Sequence, residues 1–165
     1  MKKMRFISCV ILVVSIMIPA LDTKALTFNV LPIKQVTKQW SVEVSKAKAD
    51  KNVSWPKKGK YNTYSMEIKN VGNDAATAEI QLYRNEPDST TRLSLFGCPD
   101  GKCKKQIEDA QSLARSLNNG NPVQYLNFIL AEEATELEVD IIWTQKGQEG
   151  RDLKETFRFT ENGVN

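Results

Sequence analysis

The sequence predicts a mainly β protein: an immunoglobulin-like antiparallel β-sandwich with one inserted α-helix at about residues 104–117. Period-two runs of apolar and polar residues recur along the chain with turn signals between them, the pattern of seven or eight half-buried strands. One stretch alone changes to helical spacing, and neither an internal repeat nor a low-complexity tract interrupts the series.

The chain opens Met1-Lys2-Lys3-Met4-Arg5, then runs apolar from Phe6 to Ile18 apart from Ser8, Cys9 and Ser15. A basic start, a short apolar stretch and small residues beyond it are the parts of a secretory signal peptide, and the stretch is too short for a stable bilayer span. Cleavage after Ala20 or Ala25 fits, with Ala25 preferred, so 1–25 is read as leader and 26–165 as one β-sandwich domain. Removing the leader takes four of the 23 basic and one of the 20 acidic residues, leaving 19 of each. A neutral domain lacks the positive field that draws nucleic acid, so DNA or RNA is not an expected partner. No later stretch is apolar enough to span a membrane, and the expected location is secreted or at the cell surface.

Leu26 to Ile33 starts as a strand, with Pro32 marking an edge position or a switch between sheets. Trp40, Val42 and Val44 alternate with Ser41, Glu43 and Ser45, a second strand with one buried face. Lys46 to Lys60 is a basic loop carrying six lysines against Asp50. Tyr61 to Arg84 then presents two alternating runs joined by Asn70-Val71-Gly72-Asn73-Asp74, which reads as a β-hairpin. Glu86-Pro87-Asp88-Ser89 is a turn by composition, and Leu93, Leu95 and Phe96 make a short strand.

Ile107, Ala110, Leu113, Ala114 and Leu117 recur at helical spacing, and Asn118-Asn119-Gly120-Asn121-Pro122 supplies the stop. Val123 to Leu130 is apolar on both sides and suits a strand covered on both faces. Leu137, Val139, Ile141 and Trp143 alternate with Glu136, Glu138 and Asp140, an acidic row expected on a solvated face. Lys146 to Gly150 is a turn. Leu153, Phe157 and Phe159 point inward from a last strand with Glu155 as the odd member, and Glu161 to Asn165 should fray. Trp40 and Trp143 are expected to pack between the sheets.

Met66-Glu67-Ile68-Lys69-Asn70-Val71-Gly72-Asn73-Asp74-Ala75-Ala76 resembles the strand, Asn-x-Gly corner and strand of bacterial extracellular immunoglobulin-like domains, including the cell-adhesion-related type called CARDB. The resemblance implies fold and surface location and carries no site.

Little points to catalysis. The chain has no histidine, which removes His-dependent nucleophilic triads and the commonest zinc ligand. Cys98 and Cys103 in an exported chain are expected to close a small disulfide loop, since a redox pair more usually has Cys-x-x-Cys spacing. No cofactor motif is present, and the acids from Glu132 to Asp140 could hold calcium only without the Asp-x-Asp spacing of a calcium loop, a minor alternative. The candidate binding surface is Lys57-Lys58-Gly59-Lys60-Tyr61 beside Trp55, a basic loop with aromatics suited to an anionic polymer or an acidic protein. The acids from Glu132 to Asp140 are opposite in sign, so self-association is a further expectation. The leading reading is a secreted, noncatalytic binding or adhesion module whose partner is an envelope polymer or a secreted or surface protein. A small wall-glycan hydrolase with a carboxylate pair and an inhibitor or accessory subunit of an exported enzyme are the alternatives.

Overall fold

The computed structural model describes residues 26–49, 56–87, 90–96, 107–161 and 163–164. The strands are β1 (Ile33–Val36), β2 (Trp40–Lys46), β3 (Tyr61–Asn70), β4 (Ala75–Asn85), β5 (Arg92–Ser94), β6 (Val123–Ala131), β7 (Glu136–Gln145), β8 (Asp152–Thr160) and β9 (Gly163–Val164). The helix α1 (Ile107–Asn118) lies between β5 and β6. A four-stranded sheet has the order β1-β2-β3-β6 and a five-stranded sheet the order β5-β4-β7-β8-β9. Every pairing is antiparallel. The chain changes sheet between β3 and β4, between β5 and β6 and between β6 and β7, the Greek-key order of immunoglobulin-like sandwiches.

The core lies between the sheets because each strand turns its apolar phase there. Trp40, Val42, Met66, Ile68 and Leu130 of one sheet meet Leu82, Leu137, Ile141, Phe157 and Phe159 of the other, all nearly or wholly buried. Each such aliphatic or aromatic side chain contributes about 2 kcal/mol by leaving water. Trp40 and Trp143 touch edge to face across the gap, their rings 5.5 Å apart at 78°, as expected for tryptophans on the apolar phase of facing strands.

The stretch from Tyr61 to Arg84 is not a hairpin. β3 and β4 belong to opposite sheets, and Asn70 to Asp74 is the corner that carries the chain across. A hairpin would set the two apolar faces side by side, whereas here they face each other and close the core. The corner is fixed against the β1–β2 turn: Val71 N and Gly72 N donate to Gln39 O at 2.9 and 3.2 Å, and Gln39 Nε2 donates to Asn70 Oδ1 at 2.7 Å. Gly72 is required there, because a Cβ would stand 2.6 Å from the Lys38 carbonyl oxygen.

Other boundaries moved as well. Leu26 and Phe28 are buried but not in a strand, and the first strand begins only after Pro32, at an edge of its sheet. Leu95 and Phe96 form a turn beyond the three-residue β5. The end does not simply fray, since Gly163 and Val164 pair with β8. α1 ends as its sequence requires: Gly120 has φ 80°, and its N–H donates to Leu117 O at 3.1 Å. Ala114 and Leu117 are buried on β4, although Ile107 stays exposed. A helix this short depends on that packing.

β6 is not covered on both faces. It is the last strand of its sheet, with Leu126 and Ile129 about half exposed. Asn127 has φ 56° and forms a bulge, so that Leu126 and Asn127 together oppose Ser65. The Asn127 Oδ1 accepts from Lys48 N at 2.8 Å and from Ser65 Oγ at 3.3 Å, which ties the bulge to its neighbours.

Candidate functional site

The basic loop ends in a turn locked by its own backbone. Lys57 and Tyr61 form a bridge, with Lys57 N donating to Tyr61 O at 3.0 Å, and Tyr61 N and Lys60 N donating to Lys57 O at 3.1 and 2.9 Å. Gly59 supplies the left-handed residue, φ 76°. Lys57, Lys58 and Lys60 are exposed, and Tyr61 is half-buried at the start of β3. No carboxylate among the described residues stands within ion-pair distance of the three lysines. The end of β6 joins the turn, since Glu132 N donates to Lys60 O at 3.1 Å, and exposed Glu133 follows. Trp55 lies outside the described residues, as do Cys98, Cys103 and their expected disulfide. Tyr64, further along β3, is buried against Phe28 with ring centroids 5.0 Å apart.

The acidic row of β7 is not a solvated face. Glu138 and Asp140 are 6% and 2% exposed, roofed by cations from β5 and β8. Asp140 accepts from Arg92 Nη2 at 2.7 Å, Thr156 Oγ1 at 2.6 Å and Lys154 Nζ at 2.8 Å. Arg92 also pairs with Glu138, which accepts from Arg158 Nε at 3.1 Å. The Arg92 guanidinium lies 4.1 Å above the Tyr83 ring centre. Burial alone would raise the Asp140 carboxyl, but hydrogen bonds from Lys154, Thr156 and Arg92 outweigh it and hold it below its usual range. Burial raises Glu136, with Arg158 opposing and Glu138 adding to the rise. The sequence showed the acids; it gave no sign that residues 14 to 48 positions away would cover them.

Two of the cavities lined by described residues bear on function. One, about 170 Å³, lies between α1, β4 and β6, with Ala78, Ile80, Ala110, Leu113 and Tyr125 as walls and Glu79 and Asp109 at its polar margin. The second, about 140 Å³, opens on the outer face of the four-stranded sheet and includes Glu43 and Glu67, which stand directly opposite each other on β2 and β3. Each has a lysine: Lys34 at 3.9 Å from Glu43 and Lys69 at 2.5 Å from Glu67. The hydrogen bond from Lys69 lowers the Glu67 carboxyl below its ordinary value, against a smaller opposing effect of burial. Among the described residues no group of three acids or cysteines is placed to hold a metal ion, and no helix is long and apolar enough to cross a membrane.

Comparison with known proteins places this arrangement in a family. No solved structure matches the chain. An uncharacterized protein, YozF of Bacillus subtilis (strain 168), is 62% identical over 141 residues, covering 86% of each chain. The model of the YozF-like secreted proteins matches residues 24–165, the stretch that carries both sheets, so the chain is a secreted protein and belongs to the YozF-like secreted protein family.

Proposed function

We propose that this secreted chain is a noncatalytic binding module, acting at the cell envelope or outside it, and that the lysine turn 57–60 meets an anionic polymer or an acidic protein surface. The observation that carries this reading is an asymmetry of charge. The buried acids of β7 are neutralised within the fold by Arg92, Lys154 and Arg158. Lys57, Lys58 and Lys60 stand instead on a rigid, hydrogen-bonded turn with their ammonium groups in solvent. The turn's backbone is already formed, so binding has only the lysine side chains to order, and their attraction to an anionic surface weakens with salt.

The hydrolase reading has one observation in its favour, the Glu43 and Glu67 pair in the outer-face cavity. A glycosidase needs one carboxyl kept protonated to act as acid, and Lys69 favours the ionised form of Glu67. Glu67 therefore fits the ionised member of such a pair and not its acid. Replacing Lys57, Lys58 and Lys60 together by Ser tests the proposal. Capture of the cleaved protein by isolated envelope material should fall severalfold at low salt, while the far-ultraviolet spectrum and melting temperature stay unchanged. Equal capture by the triple variant removes the turn from the function.

A further inference from the structure

We propose that the edge of β6, which no strand covers among the described residues, pairs with β6 of a second copy of this chain, antiparallel about a two-fold axis near Phe128, joining two four-stranded sheets into one of eight strands. Exposed strand edges invite pairing, and natural sheets guard them with short length, charge, proline or a bulge. The other three edges of this sandwich are guarded so: β1 has four residues with Lys34, β5 three with Arg92, and β9 two. β6 is nine residues long, Val-Gln-Tyr-Leu-Asn-Phe-Ile-Leu-Ala, with neither a charge nor a proline, and its one guard is the bulge at Asn127.

The bulge selects the register. An extra residue at Asn127 shifts the phase by one, so Leu126 and Ile129 both point outward, while Tyr125 packs on the core before it and Phe128 and Leu130 after it. Residues opposite each other in an antiparallel pair must share a face. With Phe128 opposite its own copy and each Asn127 accommodated as the bulge, Ile129 faces the partner copy's Leu126, and Leu130 faces the partner copy's Tyr125. Like faces then meet throughout, and two half-exposed aliphatic pairs are covered. Phe96, 54% exposed and stacked 5.1 Å from Tyr125, borders the same edge and would be covered too. Charge fits a copy of the same chain. The strand sets no like charges opposite one another, and the chain without its leader has 19 basic and 19 acidic residues, so two copies do not repel.

Sedimentation equilibrium of the leader-free protein from micromolar to millimolar concentration tests this. The expected result is a mass rising to twice that of one chain, with Ile129→Lys returning it to that of one chain. Its side chain is outside the core, so Ile129→Lys should keep the native circular dichroism. A second arm mixes Leu126→Cys and Ile129→Cys chains under oxidation; a cross-link between the two species is expected, well above that within either alone. A wild-type mass of one chain throughout, or a dimer unaffected by Ile129→Lys, overturns the proposal.

Discussion

Replacing Asp140 by Asn puts the roofed acidic row to a quantitative test. The carboxylate is 2% exposed and takes hydrogen bonds of 2.7, 2.6 and 2.8 Å from Arg92, Thr156 and Lys154. The two cations are close to half exposed, so each interaction is discounted for solvent to about 1 kcal/mol; Thr156 adds about 1 kcal/mol. Asn keeps the shape and the bond from Thr156 but loses the charge, so the expected loss is about 2 kcal/mol at neutral pH. The pH dependence has a defined sign. A carboxyl lowered in the folded state contributes stability that is fully present above its unfolded pKa, about 3.9, and is lost as pH falls through the lower folded value. Urea unfolding of both proteins at neutral pH and at successively lower pH should show the gap closing below about pH 4. A gap below about 0.5 kcal/mol at neutral pH, the size of an ordinary surface change, would mean that the row is solvated after all. A gap of constant size at every pH would mean that the charge of Asp140 is not what stabilises it.

Two further substitutions probe how the sheets and helix are joined. Gly72→Ala drives a methyl group to 2.6 Å from Lys38 O and 2.9 Å from Gln39 Cα, both backbone, and should cost about 2 kcal/mol in urea unfolding; an unchanged midpoint would mean that the corner is not tightly seated. Asn118 holds the end of α1 to the corner, donating to Ala75 O at 2.9 Å and accepting from Ala75 N and Asn70 Nδ2 at 3.1 and 3.0 Å. Asn118→Ala should cost about 2 kcal/mol and increase amide exchange in α1, with Asn118→Asp recovering only the accepted bonds; exchange equal to wild type would show that the helix is held by Ala114 and Leu117 alone.

The faces of β2, β7 and β8 were legible because a strand's period of two fixes which residues turn together, and the ends of α1 were legible because Gly120 must adopt a left-handed backbone. The basic turn was legible as lysines around a glycine. The sequence by itself therefore determined the address, the mainly β class, the inward residues and the chemistry missing without histidine. It could not determine neighbours. Period two is the same whether β3 and β4 lie side by side or face each other, and only the fit of their apolar faces across the core, with Gly72 against Gln39, sent them to different sheets. Nor does alternation say what roofs an outward residue. Glu138 and Asp140 are buried because Arg92, Lys154 and Arg158 arrive from β5 and β8, while Leu126 and Ile129 are exposed because, among the described residues, no strand follows β6 in its sheet. Burial is a property of the assembled surface, so polar residues became covered and apolar ones uncovered only when the sheets closed.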